Sequence, residues 1–125
     1  MSLLLDSNAL LWWLTNDPRL DRLGVRNAIQ AEPDVIVSVI SPWELWIKAA
    51  TGKLRTPDDM AEQIARSHFT LIAPTLEDAR LAAALPPLHR DPFDRMIVAQ
   101  ALNRQATVVT GDRRLAAYGV DAILV

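Results

Sequence analysis

Cysteine is absent from this 125-residue chain, which excludes a disulfide scaffold, cysteine-held zinc and a thiol nucleophile. Histidine is scarce. His68 and His89 are isolated, with no second histidine at helical spacing, so both read as surface or capping residues rather than metal ligands. The longest uninterrupted apolar run, Ala9 to Leu14, falls far short of the ~20 residues a membrane-spanning helix needs. No basic segment precedes the first apolar strand, so no signal peptide is expected and the protein reads as soluble and cytoplasmic. Positive charge is in no excess either: the formal net charge is −2, without the basic field that marks many nucleic-acid binders. There is no internal repeat, low-complexity stretch or linker. Half of the residues are hydrophobic (50%), enough for one domain, 1–125, to bury a core.

What the chain does have is four carboxylates in telling places. Asp6 ends LLLD at 3–6, Glu44 ends SPWE at 41–44, Asp94 lies in DPFDR at 91–95 and Asp112 ends VVTGD at 108–112. Each falls where a short apolar strand stops or a helix starts. In an open parallel sheet, the carboxyl ends of strands and the adjoining helix N-termini line one crevice, where such folds bind ligands. Several carboxylates share a crevice only with a cation among them, because like charges at close range disfavour one another. Oxygen donors without a supporting cysteine or histidine cluster suit Mg²⁺ or Mn²⁺. Cationic side chains gather near these segments: Arg90, Arg95, Arg113 and Arg114, with Lys48, Lys53 and Arg55 not far off in sequence.

The periodicity supports that geometry. Residues 2–6 read as a buried strand, followed by a helix at 7–15 that Ser7 or Asn8 could cap. A more polar helix is expected at 21–32 and a β-branched strand at 35–39. Ser41-Pro42-Trp43-Glu44 has the form of a helix start, with Ser at N-cap, Pro at N1 and Glu at N3. Gly52 closes that helix. Helices at 57–67 and 75–84 flank a strand at 69–72. Pro86-Pro87 breaks the chain before a long helix reaching 104, and a strand at 106–110, a short helix closed by Gly119 and a strand at 121–125 complete it. Alternating strands and helices imply a three-layer α/β domain with a parallel sheet.

Each acid also has a purely structural reading. Asp6 and Asp112 suit helix N-caps, and Asp91 and Asp94 both flank the start of a helix that favours negative charge. Asp94 shares a stripe with Ile97 and Val98, which turns it inward and leaves Asp91 to cap. Glu44 could bond the Ser41 amide or pair with Lys48. Yet Trp43, Leu45, Trp46, Ile47, Ala49 and Ala50 make that helix apolar nearly all round, so the Glu44–Lys48 stripe must face something polar. Trp12 and Trp13 point about 100° apart on one helix, which predicts that one of them feeds an interface.

The ordered segments LLLDSNALLWWL at 3–14, SVISPWELWIKAATGKL at 38–54, LPPLHRDPFDRMIVAQAL at 85–102 and TVVTGDRRLAAYGV at 107–120 resemble the PIN-domain ribonucleases, and within them the VapC toxins of bacterial toxin–antitoxin pairs. The resemblance implies that Asp6, Glu44, Asp94 and Asp112 are the acidic site, with Asp6, Asp94 and Asp112 at the metal and Asp6 and Asp94 as its direct ligands. Asn8, in a first motif that reads Asp6-Ser7-Asn8 where the family often has Asp-Thr-His or Asp-Thr-Asn, and Thr110 support them. It also implies a five-stranded parallel sheet, a homodimer, and a cognate antitoxin covering the crevice.

The expected chemistry is hydrolysis of an RNA phosphodiester with Mg²⁺, or Mn²⁺ in its place. Lys48, Arg95 and Arg113 are the candidates for phosphate contact. An aspartyl-phosphate phosphatase or receiver domain also gathers acids at a sheet edge. The first strand here lacks the second aspartate such phosphatases carry two residues on, and the acid pair and lysine of receivers are missing. A non-catalytic binding module, its acids only capping helices, is the remaining alternative.

Overall fold

A computed structural model describes residues 1–125. Five strands, β1 (Leu3–Leu5), β2 (Val35–Ser38), β3 (Thr70–Ile72), β4 (Thr107–Thr110) and β5 (Ala122–Leu124), form one sheet in the order β3-β2-β1-β4-β5. Every pairing is parallel, with Leu4 opposite Ile36 on one side and Val108 on the other. The expected α/β architecture and five-stranded sheet are present. Strand order reverses at β1, so the crevice of such a sheet opens beyond the carboxyl ends of the central strands.

Alternation along the strands divides the core in two. Leu3, Leu5, Val35, Val37 and Val109 face a cluster built with Leu10 of α1 (Ser7–Leu14), Ile29 of α2 (Val25–Ala31), Leu45 of α3 (Ile40–Ala50) and Ile64 of α4 (Met60–Arg66). Leu4, Ile36 and Val108 face Ile97, Val98 and Ala101 of α6 (Pro92–Arg104) and Leu115 of α7 (Arg113–Ala116). Helix α5 (Leu76–Ala84) packs on α6 and starts with a capping box between Thr75 and Asp78. Burial on both faces explains why β1 is all leucine.

Three local expectations are revised. Of the helix expected at 21–32, residues Val25–Ala31 form α2; ahead of it Pro18–Gly24 is a 3₁₀ stretch, broken from α2 where Leu23 (φ 54°) and Gly24 (φ 69°) enter the left-handed region. Helix α1 is capped by Asp6 rather than Ser7 or Asn8: Asp6 is extended, and its Oδ1 accepts the Ala9 N–H at 2.8 Å. Helix α3 lacks the expected capping box. Val39 is already helical and stands at the N-cap without a side-chain bond, which puts Pro42 in the first turn, where its missing N–H costs nothing.

The tryptophans fall into two groups. Trp12 and Trp13 are both half-buried and packed on the core, and the Trp13 Nε1–H donates to Ser67 Oγ at 3.0 Å. The outward aromatic surface belongs instead to α3, where Trp43 is 54% and Trp46 47% exposed.

Candidate functional site

The four acids come from four elements and meet at the carboxyl edge of the sheet. Asp6 follows β1 directly, and its backbone N–H donates to Val109 of the neighbouring β4 at 3.1 Å. Asp112 stands two residues past β4, Glu44 one turn into the helix after β2, and Asp94 in the first turn of α6. Together they line a cleft of about 190 Å³ bounded by ten residues, none of them apolar. Asn8 and Lys48 are on its wall, as are Ser7, His89, Asp91 and Arg114.

Asp6 is almost fully buried. Burial pushes its carboxyl up from 3.8 to about 6, against the Thr110 hydroxyl and Ala9 amide that bond it, and the charges of Glu44 and Asp112 add to the rise. Thr110 thus bonds Asp6 from the neighbouring strand, and its Oγ1 also accepts the Asp112 N–H at 3.0 Å. Glu44 is only 4% exposed and caps nothing. It is held across the cleft by Ser7, whose hydroxyl donates to Oε1 at 2.5 Å, and by Lys48 Nζ, 3.2 Å from Oε2. Asp94 is pushed up to about 7, first by burial and then by the charges of Asp91, Asp6 and Glu44. Asp91 is the N-cap of α6 as expected, accepting the Phe93 N–H at 2.9 Å. Asp112 goes the other way. Hydrogen bonds from the Arg114 guanidinium hold its carboxyl down at about 2.

Two of the three expected phosphate contacts are elsewhere. The Arg95 guanidinium turns away from the cleft and donates to the carbonyls of Ala82, Leu85, Pro86 and His89. The reason is local: α5 ends at Leu85-Pro86-Pro87, whose prolines have no N–H to offer, and a guanidinium has five donors for stranded carbonyls. Arg113 lies outside the acidic cleft, beside Arg22, Gly111 and Val125. Arg114 stands at the cleft instead. An N-cap aspartate accepts from the residue two positions on, which brings Arg114 rather than Arg113 back over Asp112.

His89 is the largest correction. It is neither a surface nor a capping residue but is buried at the cleft, with Nε2 2.9 Å from Asp94 Oδ2 and 3.2 Å from Asp112 Oδ2. Lone histidines give no spacing signal. A usable clue was its place five residues before Asp94, on the turn that folds over the start of α6. His68 is exposed and stands apart from the site.

The donor set fits a divalent cation. His89, Asp94 and Asp112 each present one atom within 4.8 Å of the others, and burial first, then the charges of neighbouring acids, raises the carboxyls of Asp6 and Asp94.

The PIN domain family model matches residues 3–121. The chain belongs to the PIN-domain family. It is 33% identical to ribonuclease VapC22 of Mycobacterium tuberculosis, over 94% of this chain and 92% of that protein, which sets this PIN domain among the VapC ribonucleases. The fold is also that of VapBC2 from Rickettsia felis bound to a DNA fragment from its promoter (TM-score 0.73, 16% identity, 99% and 98% of the two chains). A toxin–antitoxin complex from Klebsiella pneumoniae is similar as well (TM-score 0.65, 20% identity, 98% and 96% covered).

Proposed function

We propose that this VapC-type PIN domain is an Mg²⁺-dependent endoribonuclease, the toxin of a toxin–antitoxin pair, working on RNA in the cytoplasm. The observation that carries the reading is Glu44. A buried carboxylate with no capping role, held in place by Ser7 and Lys48 and aimed at three other acids, has no function in folding that would repay its desolvation. Asp6 and Asp112 do cap helices, as a non-catalytic module would have it, each through Oδ1; the cap leaves Oδ2 unused, and at Asp112 that oxygen meets Arg114 and His89 on the cleft wall.

Asp6, Asp94 and Asp112 would hold the ion, with Glu44 orienting water beside it. When bound, Mg²⁺ lowers the pKa of a water and offsets charge on the reacting phosphate; Mn²⁺ has the same oxygen preference. The protein's own part is placement. Thr110 and the Ala9 amide fix Asp6, Ser7 and Lys48 fix Glu44, and Asn8, exposed on the wall, offers an amide to the substrate. Lys48 and Arg114 are the cations able to meet a phosphate, and their local charge offsets a chain that is acidic overall.

The structural relatives are toxin–antitoxin complexes, and on that likeness an antitoxin would cover the cleft; a homodimer is the expected assembly. Purified protein should cleave RNA in Mg²⁺ and stop in excess chelator, and Asp6→Asn and Asp94→Asn should each lower the rate at least ~100-fold. Full activity in chelator, or in either variant, overturns the assignment.

A further inference from the structure

The ring of His89 is held from every side. Tyr118 Oη accepts its backbone N–H at 2.8 Å, and Arg95 Nη1 donates to its carbonyl at 3.2 Å. The Asp91 backbone N–H donates to Nδ1 at 3.1 Å. An amide that donates to Nδ1 requires a lone pair there, so the neutral ring carries its proton on Nε2. That N–H is the atom lying between Asp94 Oδ2 and Asp112 Oδ2. A nitrogen that carries a hydrogen cannot coordinate a metal. Among the three donor atoms grouped here, the imidazole therefore differs in kind from the two carboxylates.

We propose that His89 is a positioning residue of the metal site: its Nε2–H holds the Asp94 and Asp112 carboxylates at the spacing the ion needs, without itself becoming a ligand. This rests on the nuclease reading above. The arrangement explains why Arg95 and Tyr118, neither of which reaches the cleft, are spent on the backbone of one loop residue. It also explains how two carboxylates of like charge come to share one nitrogen. Hydrogen-bond partners of metal ligands characteristically change affinity by 10–100-fold when removed.

The test is Mn²⁺ binding to the RNA-free protein, followed by electron paramagnetic resonance. His89→Ala should bind Mn²⁺ at least ~10-fold more weakly than wild type. His89→Gln, whose side-chain amide supplies an N–H at about the same reach, should stay within threefold of wild type. Long-range ¹H–¹⁵N spectra of the metal-free wild type should show His89 as the Nε2–H tautomer. An Ala variant that binds as wild type overturns the role, as does an Nδ1–H ring. A folded Gln variant as weak as Ala overturns it too, because the imidazole would then be a ligand. If His89→Ala does not fold by circular dichroism, the Gln variant and the tautomer decide the matter. A wild type that binds no Mn²⁺ sinks the nuclease reading itself, whereas the other outcomes leave that reading standing.

Discussion

Arg114 grips Asp112 from three directions: its backbone N–H donates to Oδ1 at 2.9 Å, Nε to Oδ1 at 3.0 Å and Nη2 to Oδ2 at 2.8 Å. The carboxylate thus serves as N-cap of α7, as ion-pair partner and as a wall of the acidic cleft. Because Asp112 is held at about 2, below its ordinary 3.8, it contributes stability above pH 4 that is lost as pH falls through 2. Most of Arg114 is solvated, so the ion pair adds little and the cap carries most of the effect, about 1 kcal/mol. Asparagine caps about as well as aspartate, so Asp112→Asn loses the ion pair alone and should lower the melting temperature slightly in chelator at pH 7, and Arg114→Ala should return the Asp112 titration, followed by NMR, toward its ordinary value. A variant Asp112→Asn that melts above wild type contradicts this.

Asp6 and Asp94 impose the opposite dependence. Their folded values of about 6 and about 7 lie above the unfolded 3.8, so the native state binds more protons across that interval. As far as these groups decide it, the metal-free protein should be most stable at pH 4 and below, and should lose stability progressively as pH rises from 4 through 6 to 7. Asp94→Asn removes one of the crowded charges without removing the cap, which is Asp91. It should melt several degrees above wild type in chelator at pH 7.5. Saturating Mg²⁺ should raise the wild type far more than the variant, since the ion binds only the folded site. A variant that melts below wild type in chelator would show that the carboxylates do not repel.

The Ser7–Glu44 hydrogen bond gives a kinetic prediction. Ser7→Ala leaves Glu44 buried with Lys48 alone, free to turn from the cleft. The expected result is a fall in kcat of roughly tenfold with KM for RNA changed less than twofold, since the hydroxyl orients a group that acts on water rather than on substrate. Equal losses in kcat and stability without a change in the Mg²⁺ requirement would point to Ser7 as a packing residue only.

The sheet and the four acids were readable because they rest on strong, local signals. Apolar runs such as LLL and TVVT, each cut off by an acid or a glycine, fix both the strand and its carboxyl end. What sequence could not supply was rotation about short turns. Whether α3 starts at Ile40 or Ser41 decides if Glu44 faces its own N-terminus or Ser7, and Ser-Pro favours the wrong answer. Arg95 and Arg113 were placed at the cleft by proximity in sequence, while the carbonyls stranded by Pro86-Pro87 claim Arg95 and the cap geometry presents Arg114. His89 was hidden for the same reason: its orientation depends on Tyr118, 29 residues away.

Gly111 joins β4 to Asp112, and its place in the TGD turn is explained by Trp12. A Cβ on Gly111 would lie 2.7 Å from Cη2 and 3.3 Å from Cζ3 of the Trp12 ring. The ring is in no position to retreat freely: Trp12 packs on the core that includes Leu10, and the Arg19 guanidinium stands 5.2 Å from its centroid. Gly111→Ala should therefore cost about 1–3 kcal/mol by overpacking. The turn must shift to relieve the clash, carrying Asp112 with it, so nuclease activity should fall severalfold as well. A double-mutant cycle isolates the contact. In a Trp12→Leu background, already less stable for the lost ring, adding Gly111→Ala should cost less than about 1 kcal/mol, because the shorter side chain leaves the methyl group space. An equal penalty in both backgrounds would mean that the turn's own backbone, and not the tryptophan lying over it, is what demands glycine at this position.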